Sequence, residues 1–207
     1  MRIAGVTLEP GSNTPAEHLL RWGTTASSGS VTEPGVISDV FARVGGSNNS
    51  SNTQVQVKRM FQINSSHVII DHTWLWRADH DVGGSVMNSH NYVASGIEVN
   101  GNFVRAYGLF VEHTLGDMVL WNGEDGEVYF YQSELPYDVT QDNYANKGYH
   151  SYHVAEKVQR HLSHGAGVYS FFRDNTVTMD TGIKAPSGSG IKFNNAFNKM
   201  LSGKGGI

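Results

Sequence analysis

The stretch Ile63-Asn64-Ser65-Ser66-His67-Val68 can be laid over Val99-Asn100-Gly101-Asn102-Phe103-Val104, 36 residues further along. Each copy reads as the end of a strand, a turn of Asn, Ser or Gly, and the start of a new strand. Held at that offset, Leu75 meets Val111 and Asp81 meets Asp117. A second step, 24 residues from Val104 to Val128, carries Tyr107 onto Tyr131, and Ser189-Gly190-Ile191-Lys192-Phe193-Asn194-Asn195 gives the pattern again. Self-similarity at such a period marks a repeat architecture. Short strands joined by Gly/Asn turns make the repeat a coil of a parallel β-solenoid, with alternate side chains inward and coils about 4.8 Å apart. The expectation is an all-β chain, one single-stranded parallel β-helix domain over residues 1–207. The longer step would hold an insertion around Gly83 to Ser95, projecting as a loop over one face. A β-sandwich, also built of short strands and frequent turns, is the rival.

Composition agrees. The chain has 207 residues, 24 of them Gly, with nine Phe, nine Tyr and four Trp. Gly and Asn are poor helix formers, and the aromatic and β-branched residues suit pleated surfaces. Alternations such as Gln54-Val55-Gln56-Val57-Lys58 and Val128-Tyr129-Phe130-Tyr131 read as strands, and Val154 to Leu162 is the best helical candidate in the second half. With no cysteine, disulfide scaffolds, thiolate zinc sites and cysteine nucleophiles are excluded. A net charge of −4 and only 16% charged residues argue against binding by phosphate neutralisation. No apolar run approaches membrane-spanning length, and no signal-like segment opens the chain. Ile3 to Leu8 would be a strand uncovered at its edge, and Gly203 to Ile207 ends without a cap, so the chain is expected to be a segment of a longer protein. Gly45 to Asn52 reads as a surface loop; Asn48, Asn49 and Asn64 each open an N-x-Ser sequon.

A solenoid sets side chains of successive coils in rows. Glu112 and Glu134 are 22 residues apart, close to one coil, and could stand side by side on an outer face. Two such carboxylates repel when both are ionised, which favours one protonated acid near neutral pH, the equipment for glycoside hydrolysis. On spacing alone, the plainer reading is two exposed glutamates that happen to lie a coil apart. His72, Asp79, His80, Asp81 and His113 fit no standard zinc spacing and read first as turn residues bonded to backbone, with Asp81 a candidate for a sugar site. Trp74, Trp76, Trp121, Tyr129, Tyr131 and Tyr137 offer faces for sugar stacking or fill the core. No metal and no cofactor is expected. Nucleophile elbow, P-loop and dinucleotide fingerprint are all missing, Gly165-x-Gly167 being too short.

Three blocks in order, Trp74-Leu75-Trp76-Arg77-Ala78-Asp79-His80-Asp81, Tyr107-Gly108-Leu109-Phe110-Val111-Glu112-His113 and Tyr131-Gln132-Ser133-Glu134-Leu135-Pro136-Tyr137, resemble glycoside hydrolase family 55. The match is best from about Trp74 to Asp138 and looser over Ile3 to Gly46. The resemblance implies a right-handed, pectin-lyase-like parallel β-helix and a laminarinase-like β-1,3-glucanase acting by inversion. It implies Glu134 as general acid and Glu112 as the second active-site carboxylate. Trp76, Asp81, His113, Trp121, Gln132 and Tyr137 are then the residues expected to meet a polysaccharide substrate. Members of the family carry two tandem β-helices with the sugar site between them, and this chain matches only part of one. Inverting pairs stand about 6.5–9.5 Å apart, wider than the roughly 4.8 Å between neighbouring coils, so Glu112 is expected to tune Glu134 while other groups hold the attacking water. A non-catalytic carbohydrate-binding β-helix, an α-1,3-glucanase and a polysaccharide lyase are the alternatives. An extracellular location follows from the substrate class only.

Overall fold

The computed structural model describes residues 1–11, 15–24, 27–45 and 55–207. Its strands follow in chain order: β1 (Arg2–Leu8), β2 (Ala16–Trp22), β3 (Gly35–Val44), β4 (Val57–Ile63), β5 (Val68–Arg77), β6 (Val93–Val99), β7 (Arg105–Glu112), β8 (Val119–Trp121), β9 (Gly126–Glu134), β10 (Tyr152–Val154), β11 (His161–Thr178), β12 (Ile183–Lys184) and β13 (Ile191–Gly206). Odd-numbered strands form one seven-stranded sheet in the order β1-β3-β5-β7-β9-β11-β13, and even-numbered strands a six-stranded sheet from β2 to β12. The pairings are parallel. Parallel neighbours need a crossover rather than a hairpin, and here each crossover is a strand of the opposite sheet. The result is a parallel β-solenoid of about six turns, with its core between the two sheets.

Register fixes the repeat. Leu75 does pair with Val111, 36 residues on, as β5 lies on β7. The next step differs from expectation: β7 lies on β9 at an offset of 22, so Tyr107 pairs with Tyr129, and Tyr131 pairs with Leu109. A slip of two residues keeps every side chain on the same face of a strand, so alternation alone cannot see it. Asp81 and Asp117 are not partners; Asp81 lies in the 78–92 segment between β5 and β6, which is the insertion that lengthens the first step. Val154 to Leu162 is not a helix. β10 ends at Val154, and a turn leads into β11 at His161, whose ring packs on Trp121. Among the described residues, the one helical element is a 3-10 turn, Ala145–Lys147.

A corner runs up the seven-stranded sheet. Gly5, Asp39, His72, Gly108, Phe130, Gly165 and Asn195 occupy equivalent positions in the seven strands, and all have φ between 50° and 70°. A left-handed residue bends a strand, so alternation shifts by one across it. In β7, Ala106 is buried before the corner, and Leu109 and Val111 after it. Beside the turns that lead into this sheet, Asn64, Asn100 and Asn122 form an amide ladder, Asn100 Nδ2 donating to Asn64 Oδ1 and Asn122 Nδ2 to Asn100 Oδ1, both at 2.9 Å. Asn64 is therefore buried and fully engaged, so it is not an acceptor for a glycan. The Asn48 and Asn49 sequons lie outside the described residues, as does most of the low-complexity stretch.

Candidate active site

Glu112 and Glu134 are the last residues of β7 and β9, and their Cα atoms are direct partners. Trp76 at the end of β5 lies under Glu112, Arg43 of β3 under Trp76, and Tyr169 of β11 above Glu134. One outward row thus reads Arg43, Trp76, Glu112, Glu134, Tyr169. A second row, two residues earlier, stacks Trp74, Phe110 and Gln132.

Glu112 is mostly buried, and burial is the main reason its carboxyl is pushed from 4.5 up to about 7. The charge of Glu134 pushes the same way, whereas hydrogen bonds from Trp74 and Gln132 oppose it. The Trp74 Nε1–H donates to Glu112 Oε2 at 2.9 Å. Glu134 accepts from the Tyr137 hydroxyl at 2.6 Å. Burial and that carboxylate drive the Tyr137 phenol far above its usual range, so it stays a neutral donor. Glu112 therefore titrates near neutral pH, in surroundings built differently from those of Glu134.

Behind the pair stands a second layer. His113 follows Glu112, and its backbone N–H donates to the Glu134 carbonyl at 2.9 Å. Its ring packs against Tyr137 at 4.3 Å, and its Nδ1 lies 3.2 Å from the Leu135 carbonyl. Burial lowers His113 to about 4, against the opposing pull of the Asp79 charge. Asp79 gathers three rings: His80 Nδ1 at 2.7 Å, Trp76 Nε1 at 3.2 Å and His113 Nε2 at 4.0 Å. Burial works against its charge, but His113 and His80 more than offset this and hold the carboxyl below the usual range. Beneath them the fully buried Arg77 makes a bidentate pair with Asp138, at 2.9 and 2.8 Å, and donates to the carbonyls of His90 and His113. Arg77 thereby ties the 78–92 segment to the coils that carry both glutamates.

The structure thus brings Glu112, Glu134, Gln132, Tyr137, His113 and Trp76 together, and it separates two expected members. Trp121 lies wholly in the core between the sheets, against Tyr152 and His161, and offers no face to a ligand. Its inward position in β8 sits beside Gly126, where a Cβ would come within 2.2 Å of the indole nitrogen. Asp81 is exposed on the 78–92 segment at φ 65°; Asp79, two residues earlier, is the acid that faces the site. The aromatic cluster also splits three ways. Trp74, Trp76 and Tyr137 border the glutamates, Tyr131 is buried with its hydroxyl on Ser151, and Tyr129 stacks between Tyr107 and His164 on the outside. Trp76 is only 6% exposed, held between the Trp74 ring and the Arg43 guanidinium, so it supports the site more than it lines it. Sequence reading overlooked Trp74 as the partner of Glu112; the 38-residue separation, two beyond the coil offset, is its only signal.

The LAM55 pectate lyase-like domain family matches residues 1–134, and the chain belongs to that family. It is 37% identical, over 99% of its length, to an exo-beta-1,3-glucanase of Streptomyces sp. (strain SirexAA-E / ActE). Two solved structures of sacteLam55A from Streptomyces sp. SirexAA-E, one of them a variant in complex with glucose, superpose with a TM-score of 0.83 over 91% of the chain, at 35% and 36% identity. The chain spans 34% of the length of each of these relatives.

Proposed function

We propose that the Glu112–Glu134 pair supplies the acid in hydrolysis of a β-1,3-glucan, in an extracellular setting, with Glu134 as the proton donor. The observation that carries this reading is the alignment of the two carboxyls on adjacent coils, with the Tyr137 hydroxyl donating to Glu134 at 2.6 Å. In the reaction the acid gives its proton to the glycosidic oxygen as the C–O bond breaks. A water then forms the new bond to the anomeric carbon from the opposite face and loses its proton to a base. Adjacent coils stand about 4.8 Å apart, short of the roughly 6.5–9.5 Å of an inverting acid and base. Glu112 therefore tunes Glu134, and groups other than these two carboxyls hold the water. A relative named an exo-beta-1,3-glucanase supports a β-1,3-glucan as the substrate.

A second reading exchanges the roles and makes Glu112 the donor, because it is the carboxyl that burial keeps protonated. Release of reducing sugar from laminarin by the chain, beside Glu134→Gln and Glu112→Gln, separates the readings. General acid catalysis contributes about 10²–10⁴-fold, so Glu134→Gln is expected to lose most activity at every pH. Full activity in Glu134→Gln with loss in Glu112→Gln establishes the exchange. A folded wild-type chain that releases nothing yet is retained on insoluble β-1,3-glucan is a binding module, and the hydrolytic reading of this chain falls.

A further inference from the structure

On the opposite sheet, away from the glutamates, Asp117 leads into β8, while His150 precedes β10 and His153 lies within it. β8 and β10 pair in parallel, Val119 beside Tyr152, so coil stacking brings the three residues to one place although they are 33 and 36 apart. One ligand atom from each lies within 4.8 Å of the other two. His153 Nδ1 is 2.9 Å from Asp117 Oδ2, and His150 Nδ1 is 3.7 Å from Asp117 Oδ1.

We propose that Asp117, His150 and His153 form a binding site for a divalent transition-metal ion, with Zn²⁺ as the best fit. Ligands about 2.0–2.1 Å from a tetrahedral zinc are roughly 3.4 Å from one another, and the two observed separations bracket that value. Two imidazoles and one carboxylate are the donor set of three-ligand zinc sites that keep a fourth position for water.

A second observation is independent of the spacing. His150 is 9% exposed, and its Nδ1 is a buried atom with no hydrogen-bond partner, since 3.7 Å to Asp117 is too long for one. Such an orphaned nitrogen calls for a partner, and a metal ion would supply it. Asp117 is also ready to serve. The His150 backbone N–H occupies one lone pair of Oδ1, at 2.8 Å, and the His153 ring nitrogen meets Oδ2 at 2.9 Å, so each carboxylate oxygen keeps one free position. Solvent can reach the site through two cavities that share Tyr149, one of about 180 Å³ lined by Asp117 and one of about 140 Å³ lined by His150. The two cations of the larger cavity are already matched, Arg59 with Glu98 and Lys58 with Glu17.

The test is calorimetric titration of the untagged, chelator-treated chain with ZnCl₂, with Co²⁺ absorption in the visible as a report of geometry. Wild type should bind one equivalent of Zn²⁺. The more exposed His153, replaced as His153→Gln, should lose at least the roughly 10–100-fold in affinity that even outer-shell changes cost. His164→Gln, on the other sheet, should bind as wild type does. Zinc binding that survives His153→Gln unchanged, or is lost equally in His164→Gln, overturns the proposal, as does a folded wild-type chain that binds no Zn²⁺ at millimolar concentration. Because the readout is binding, the result is independent of whether the glutamate pair turns over a glucan.

Discussion

Glu112→Gln should make this protein more stable in alkali and leave its stability in acid almost unchanged. Burial, helped by Glu134 and Asp79, raises the Glu112 carboxyl from 4.5 to about 7 in the folded chain. Folding therefore tightens its hold on a proton. The favourable contribution is complete below pH 4.5, declines as pH rises, and is gone once pH has passed through about 7. A tenfold change in proton affinity is worth about 1.4 kcal/mol, so above pH 7 the ionised carboxylate costs about 3 kcal/mol relative to a neutral group of the same shape. Glutamine is that group, and it keeps an oxygen for the Trp74 N–H. Thermal melts followed by circular dichroism at pH 4.5, 6 and 8 give the check. At roughly 2–4 °C per kcal/mol for a chain of this size, the variant should melt about 6–12 °C above wild type at pH 8. The two should coincide within a degree or two at pH 4.5. Parallel melting curves across this range would show that Glu112 titrates as a solvated carboxyl and refute the account of the site's proton.

Elsewhere in the fold, Asp138→Asn strands the buried Arg77 guanidinium without its counter-charge and should cost about 3–5 kcal/mol in urea unfolding; replacing both residues, Arg77→Met with Asp138→Leu, should recover most of that loss. Because Arg77 holds Asp138 below the usual carboxylate range against the opposing effect of burial, the pair's contribution is present above about pH 4 and disappears as acid titrates Asp138, which an acid unfolding curve of the double variant against wild type will show. Gly126→Ala drives a Cβ into the Trp121 indole, an overpacking expected to cost about 1–3 kcal/mol. Trp121→Ala opens a core cavity and should lose about 3–5 kcal/mol, while the retention of the folded variant on β-1,3-glucan stays at the wild-type level, since the indole faces no ligand.

The coil was legible in the chain because its turns are chemically marked. Asn64, Asn100 and Asn122 stack as a hydrogen-bonded ladder, and a ladder of like side chains repeats in sequence as it does in space. The Glu112–Glu134 pairing was legible for a related reason: parallel register turns a fixed sequence offset into adjacency. Outside those rows the sequence was silent. The corner residues are Gly at three levels and Asp, His, Phe or Asn at the others, so no residue type announces the place where alternation shifts by one. That shift, at Phe130, sends Tyr131 inward and leaves Tyr129 outside. The choice of Asp79 over Asp81 depended on the path of the 78–92 segment, which Arg77 fixes through partners as far as 61 residues away. The sequence by itself determined the parallel coil, its turns and the row that carries both glutamates, since each of these repeats locally. Only the tertiary structure decided which aromatic rings are core, which acid faces the site and where the proton rests, because burial and neighbouring charge are set by contacts between coils.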